Sequence, residues 1–206
     1  MSQRSSTRLP DRDHRRTVFF ITHPDVAIDP AVPVPAWPLS ERGRARMRTA
    51  LERPWVRGVR AIHCSTERKA IDAATILAEG LGIGFSTHAA LGENDRSSTG
   101  YLPKPEFEAL ADAFFANPTV SVRGWERAVD AQARIVAAVA VALRAGPADG
   151  DIAIVSHGAV GALLICALEG LPIGRAHDQP PGNGGYYFAF DFATRLPRHG
   201  WTAIDA

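Results

Sequence analysis

Short runs of mainly apolar residues, rather than an alternation of apolar and polar ones, most constrain how this sequence can fold. The runs cover residues 17–21, 59–65 and 151–156, and a segment with helical periodicity follows each of them along the chain. A strand without alternation is typical of a sheet that is covered on both faces. The pattern therefore predicts an α/β fold with three layers, in which a mostly parallel sheet is flanked by helices on both faces.

The predicted helices begin and end at recognisable residues. Ser40 is an N-cap candidate for a helix that runs to about Leu51. The helix that follows the second apolar run is predicted to end at Gly80 and Gly82. The remaining predicted elements are helices at 125–144 and 158–170, a short strand at 83–87, and two closing strands at 186–192 and 201–205.

Two segments interrupt the regular alternation of strands and helices. The Pro-rich stretch 29–38 is predicted to be an extended loop, because proline is excluded from helix interiors. Residues 92–123 are predicted to be an insertion of loops around a short helix near 105–116. Loops at the ends of strands form the walls of binding sites, so we expect these two segments to set substrate specificity.

Composition and charge argue against several classes of protein. The 206 residues carry a net charge of +1, so we expect neither a nucleic-acid nor a membrane partner. Residues 1–16, with five Arg and two Asp, are predicted to be a disordered basic tail, which leaves 17–206 as a single domain. We expect no secretory signal and no membrane span. Cys64 and Cys166 lie far apart in the sequence, which favours reduced, packed thiols in a cytoplasmic protein.

Two of the predicted strands end in a histidine. His23 follows the first apolar run, His157 follows the third, and Ser65 ends the second. In parallel α/β sheets ligands bind beyond the carboxyl ends of the strands, so these side chains are expected at one site. Arg68 lies in the first turn of the next predicted helix, where the free N–H groups and an arginine both favour phosphate oxygens. Gly158, directly after the second histidine, permits close approach of the backbone to a ligand.

Several short motifs follow one another along the chain in a specific order. They are Thr22-His23-Pro24, Leu39-Ser40-Glu41-Arg42-Gly43, Ser65-Thr66-Glu67-Arg68-Lys69-Ala70 with Ala74, Glu93 in LGENDR, Ser156-His157-Gly158, and LEGLP at 168–172. In order and spacing they resemble the motifs of the histidine phosphatase superfamily, which has the phosphoglycerate-mutase-like fold. The resemblance extends over roughly residues 17–204.

The resemblance implies a metal-independent phosphomonoesterase that needs no cofactor and acts on a small soluble phosphorylated substrate. It implies that His23 attacks phosphorus and forms a phosphohistidine, while Arg68 and a protonated His157 stabilise the phosphoryl charge. Glu93 would protonate the leaving group, and burial would raise its pKa as that role requires. Asp95 lies two residues further along and remains an alternative for the acid.

The first motif departs from the family pattern, which is Arg-His-Gly. Thr22, assigned to substrate binding by its position, lacks the guanidinium, a loss worth about 2–4 kcal/mol of transition-state stabilisation. Pro24 has no N–H to offer and holds the preceding histidine in an extended conformation. Candidates for a replacement charge are Arg44, Arg46 and Arg96.

Particular features of the sequence favour or disfavour four other functions. The departure favours, as an alternative, a degenerate family member that binds a phosphorylated ligand or a protein partner without turnover. A dinucleotide-binding oxidoreductase is disfavoured because GLGIG at 80–84 follows a helix instead of a strand. The sequence lacks the Gly-x-Ser-x-Gly of serine hydrolases. His63 and Cys64, together with the two strand-end histidines, could form a metal site, but their spacing matches no zinc motif.

Overall fold

The computed structural model describes residues 16–206. The predicted basic tail therefore lies outside the described residues, except for Arg16. The Nε of Arg16 donates to the Gly150 carbonyl oxygen at 2.9 Å, and its guanidinium carbon lies 3.8 Å from the centre of the Phe192 ring. This last residue of the predicted tail is thus packed against the domain.

Six strands form one sheet. In spatial order they are β3-β2-β4-β1-β5-β6, and β1, β2, β3 and β4 are parallel to one another. β5 runs antiparallel to β1, and β6 runs antiparallel to β5, which confirms the prediction of a mostly parallel sheet. The strands are β1 (Thr17–Thr22), β2 (Val59–Cys64), β3 (Ser86–Thr87), β4 (Asp151–Ser156), β5 (Tyr186–Asp191) and β6 (Pro197–Ala203).

Among residues 16–206, four of the five α-helices cover the two faces of the sheet, and the third packs against the last two. Along β1, Phe19 and Ile21 point into the core beneath α1 and α2, while Val18 and Phe20 point into the core beneath α4 and α5. This two-sided burial is why β1 reads as a continuous apolar run. The helices are α1 (Glu41–Ala50), α2 (Arg68–Leu81), α3 (Lys104–Ala116), α4 (Ala128–Ala145) and α5 (Gly158–Glu169).

The end of α2 corrects one boundary. The helix continues through Gly80 and ends at Gly82, which has a left-handed backbone with φ of 65°. Gly80 serves packing instead of termination, because a Cβ there would lie 2.5 Å from the Leu51 side chain. The two glycines therefore have different roles, whereas the sequence analysis assigned both of them to the end of the helix.

The segment 92–123 contains α3, close to the predicted helix near 105–116. The predicted helix at 125–144 begins later, at Ala128, because Trp125 is buried against Phe114 and donates its indole N–H to Thr99. The last strand also differs from its prediction: it begins at Pro197, a position that proline tolerates at the start of an edge strand. Among residues 16–206, no helix has both the length and the apolar character needed to cross a membrane.

Candidate active site

The two strand-end histidines lie side by side. β1 and β4 are neighbours in parallel register, with Thr22 opposite Ser156, so both strands end at the same edge of the sheet. The ring centres of His23 and His157 are 5.1 Å apart in an edge-to-face arrangement. Two residues that are remote in sequence therefore present their imidazoles to one site, as expected from the strand ends.

The His23 ring presents a free nitrogen to the site. Its Nδ1 lies 3.0 Å from the Pro24 carbonyl oxygen, and a carbonyl can only accept, so Nδ1 carries the proton and Nε2 keeps its lone pair. Burial and then the charge of Lys69 lower the pKa of His23 to about 4. The imidazole is neutral at physiological pH and can act as a nucleophile. Pro24 therefore still supplies the carbonyl that fixes the tautomer, although it lacks an N–H.

His157 is fully buried and is hydrogen-bonded at one nitrogen. Its Nε2 lies 2.9 Å from Ser65 Oγ and 3.2 Å from Glu67 Oε1, and the carboxylate, which can only accept, places the proton on Nε2. Its Nδ1 is buried and has no hydrogen-bond partner among residues 16–206. Burial holds the pKa of His157 well below its usual value, although the Glu67 charge raises it. A buried nitrogen without a partner, beside the second imidazole of His23, indicates a position where ligand atoms bind.

Lys69, rather than Arg68, is linked to the histidines, because it pairs with the Glu67 carboxylate that contacts His157. The side chain of Arg68 is 59% exposed, and its Nε donates to Asp72 Oδ1 at 2.7 Å. Lys69 is buried, and its Nζ lies 2.9 Å from the Val34 carbonyl oxygen and 2.5 Å from a Glu67 oxygen. Its charge lowers the pKa of both histidines. The role predicted for Arg68 is therefore better suited to its neighbour.

Glu93, rather than Asp95, reaches the site. The Glu93 carboxylate accepts hydrogen bonds from the backbone N–H groups of Ala159 and Val160, at 3.2 Å and 3.1 Å, in the first turn of α5. Burial raises the pKa of Glu93 above its usual value, in spite of these donors. Asp95 is exposed and accepts from the Ser97 N–H at 2.8 Å, a bond that lowers its pKa.

Of the three arginines considered as replacements for the missing guanidinium, only Arg96 acts on the site. Its positive charge lowers the pKa of both histidines, and its guanidinium carbon lies 4.9 Å from the centre of the Phe107 ring. Arg44 and Arg46 are held elsewhere, by ion pairs to Asp72, Asp25 and Asp205.

Thr22 and Gly158 form one side of the site together with Gln179. The Thr22 hydroxyl is buried, donates to Gln179 Oε1 at 2.8 Å and accepts from the Tyr186 N–H at 3.0 Å. A Cβ at Gly158 would lie 2.6 Å from Gln179 Nε2, so a larger residue would displace the amide from this position. Thr22 thus positions Gln179. Asn183 lies in the Gly-rich turn 180–187 and donates a hydrogen bond to Asp25.

The chain matches the model of one known protein family. The model of the histidine phosphatase superfamily (branch 1) matches residues 34–193, which is more than half of the chain. The chain belongs to the histidine phosphatase superfamily. The matched range contains Lys69, Glu93 and His157, and it begins after β1 and His23.

Solved structures share the fold of this superfamily member. A mycobacterial glucosyl-3-phosphoglycerate phosphatase bound to inorganic phosphate superposes with a TM-score of 0.74 at 24% identity, over 93% of this chain and 99% of that chain. The YhfR protein of Bacillus stearothermophilus superposes with a TM-score of 0.75 at 22% identity, over 93% and 98% of the two chains. The search of curated proteins finds no match. These structures confirm the phosphoglycerate-mutase-like α/β fold.

His63 and Cys64 do not join a metal-binding cluster in this histidine phosphatase. His63 Nδ1 lies 3.0 Å from His88 Nε2, on the side of β2 that faces β3. Among residues 16–206, no group of three or more metal-ligating side chains is placed to hold an ion. Cys64 and Cys166 are both free and buried.

Gly184 lies directly against the backbone of His23, and its replacement by alanine is expected to destabilise the fold by about 2–4 kcal/mol. Its backbone has φ of 72°, and a Cβ would lie 2.1 Å from the His23 carbonyl oxygen, which also accepts from the Gly185 N–H. Gly82→Ala is the matched control, because φ is 65° there and no described atom lies within 4 Å of the Cβ. Urea denaturation should show a loss of only about 1 kcal/mol for the control. Equal losses for both variants would contradict this role of Gly184.

Proposed function

We propose that this protein is a phosphomonoester hydrolase that acts through a phosphohistidine on a small soluble substrate. The observation that carries the proposal is the neutral His23 with a free Nε2, beside the unpartnered Nδ1 of His157 and the buried Lys69 ammonium. A nucleophile, a second imidazole and a fixed cation are the groups that phosphoryl transfer requires.

In the first step, the lone pair of His23 Nε2 attacks phosphorus in line with the ester oxygen. The N–P bond forms while the P–O bond to the alcohol breaks. Lys69 and Arg96 supply positive charge to the phosphoryl oxygens, and His157 donates from Nδ1 once it is protonated beside the dianion. The Glu67 carboxylate at Nε2 supports that imidazolium.

Glu93 provides the proton and later recovers it. Its raised pKa keeps the carboxyl protonated to a higher pH than usual, so it can protonate the departing alkoxide. The resulting carboxylate then removes a proton from a water molecule that attacks the phosphohistidine. The N–P bond breaks, the electron pair returns to His23 Nε2, and inorganic phosphate leaves.

The Pro-rich segment and the inserted segment carry the residues that would contact the rest of the substrate. Val34 in the first segment accepts a hydrogen bond from Lys69, and Trp37 packs against Tyr101 with ring centres 5.6 Å apart. Tyr101 is 40% exposed. The choice of organic group would therefore depend on these loops, as is usual for sites on strand ends.

A second candidate function is binding without turnover. The observation that favours it is the ion pair between Lys69 and Glu67, which neutralises the buried cation of the site. A binding protein would bind a phosphorylated ligand and leave the ester bond intact. The two functions differ in whether phosphate is released and whether the nucleophile is ever phosphorylated.

A screen of the purified protein against a broad panel of phosphomonoesters, with and without a chelator, tests the proposed function. Release of inorganic phosphate that the chelator does not reduce is the expected result. If no ester is hydrolysed while phosphorylated compounds still stabilise the protein against heat, the binding function is correct instead.

The pH dependence of kcat/KM is expected to have an acid limb near pH 4. His23 reacts only as a neutral imidazole, so activity is present above its folded pKa and is lost as the pH falls through about 4. The alkaline limb follows Glu93, whose acid form is lost as the pH rises through its raised pKa. Measurement of kcat/KM from about pH 4 to about pH 9, with circular dichroism as a control for folding, checks both limbs. An acid limb at the ordinary histidine pKa of about 6.5 would contradict the assigned environment of His23.

A further inference from the structure

The side chain of Glu67 occupies a central position among the proposed catalytic groups. One carboxylate oxygen lies 2.5 Å from Lys69 Nζ. The other lies 3.2 Å from His157 Nε2 and accepts from the Glu93 N–H at 2.9 Å. The side chain is only 13% exposed. The three contacts fix its carboxylate against the imidazole and the ammonium.

The carboxylate is ionised in this position. Burial raises the pKa of Glu67, but the charge and hydrogen bond of Lys69, together with the hydrogen bonds from His157 Nε2 and the Glu93 N–H, outweigh it and lower the pKa. Lys69 donates in addition to the Val34 carbonyl oxygen. The protein itself therefore already engages two of the three ammonium hydrogens.

The charge of the site follows from this pairing. The charges of Lys69 and Glu67 cancel each other, and the two histidines are neutral. None of these four residues compensates the positive charge of Arg96, which acts on His23. A phosphoryl group carries up to two negative charges, and a fixed carboxylate within a few ångströms repels it in a site of low dielectric. The Lys69 ammonium, a donor that would bind phosphate, is therefore held by Glu67.

We propose that Glu67 determines the specificity of this site by competing with phosphoryl groups for the Lys69 ammonium. Free phosphate then binds weakly, and a substrate must obtain binding energy from contacts of its organic group with the loops. This inference rests on the proposed function for the identity of the ligand as a phosphoryl group. It also explains how product phosphate leaves a site that contains a buried lysine.

Glu67→Gln tests the competition, because it removes the charge and keeps the shape of the side chain. We expect inorganic phosphate and orthovanadate, measured by isothermal titration calorimetry, to bind at least about tenfold more tightly than to the wild type. KM for p-nitrophenyl phosphate should also fall in this variant. Glu67→Ala, which leaves no polar group beside Lys69, is the second variant if the first does not fold. Glu79→Gln, at an exposed position of α2, is the matched control and should change neither quantity.

The outcomes separate this inference from the proposed function. Phosphate affinity that is unchanged or weaker in both Glu67 variants overturns the competition, even if the wild type hydrolyses phosphomonoesters. Undetectable phosphate binding in the wild type and in both variants overturns it as well. Tighter binding in the variants, combined with a wild type that hydrolyses no ester, supports the role of Glu67 and contradicts the proposed hydrolase.

Discussion

His23→Ala is expected to lower kcat/KM for phosphomonoesters by about 10³-fold or more, because it removes the more accessible of the two neutral imidazoles at the site. The His23 side chain is half-buried and its Nε2 has a lone pair, whereas His157 is fully buried and its Nε2 is bound to Ser65 and Glu67. Steady-state kinetics with p-nitrophenyl phosphate provides the measurement. Binding of orthovanadate should be weakened much less than turnover, since Lys69 and His157 remain.

His199→Ala is the control for this substitution. His199 is exposed on β6 and contacts Tyr187, outside the site. Its replacement should leave kcat/KM within about twofold of the wild type. If His23→Ala keeps most of the activity, the nucleophile is another group and the proposed mechanism is incorrect.

Lys69→Met is expected to lower kcat/KM by about 10²–10³-fold, because methionine keeps most of the length of the side chain and removes the buried positive charge. Arg68→Ala should change kcat/KM by less than about threefold, since its guanidinium is mostly exposed and pairs with Asp72. The two neighbouring residues thus serve as test and matched control. Denaturation curves for both variants should accompany the kinetics, because Lys69→Met also leaves the Glu67 carboxylate without its partner.

The reverse pattern has a clear meaning. A large loss of activity for Arg68→Ala, with a small one for Lys69→Met, would show that the arginine turns into the site when a substrate binds. In that case Arg68, the residue predicted from the sequence, is the cation of the site. From the structure we expect a large loss of activity for Lys69→Met and a small one for Arg68→Ala.

The sequence was sufficient to place the histidines. His23 and His157 each follow a continuous apolar run, and parallel strands bring such positions to one edge of the sheet. Glu93 was identified through its place in the order of family motifs. These predictions depend on strand ends and motif order, which do not change if a boundary is misplaced by a residue or two.

The sequence analysis chose Arg68, whereas the structure places its neighbour Lys69 beside Glu67, which contacts His157. Successive residues on a helix are turned by about 100°, so neighbours face different sides. A signal was present in the sequence: Lys69 lies four residues before Ala73 and eight before Leu77, on the buried stripe of α2. A helical wheel would have favoured Lys69 as the residue that faces inward.

The roles of Gln179 and Glu67 could not be read from the sequence. Gln179 reaches Thr22 across 157 residues of sequence, and no local pattern predicts such a contact. Glu67 stands in a polar turn where a solvent-exposed side chain is typical, and only the folded arrangement of β4, α2 and α5 brings it to His157. Contacts of this kind depend on tertiary packing.

The most direct test of the phosphohistidine proposal is to locate phosphate on the wild-type protein after brief reaction with a phosphomonoester. Tryptic cleavage separates residues 17–42, in which His23 is the only histidine, from residues 145–175, in which His157 is the only histidine. We predict an acid-labile phosphate on the first peptide, detected by mass spectrometry at neutral to alkaline pH. Phosphate on the second peptide, or rapid hydrolysis of the ester with no phosphorylated peptide even under quenched conditions, would contradict the mechanism.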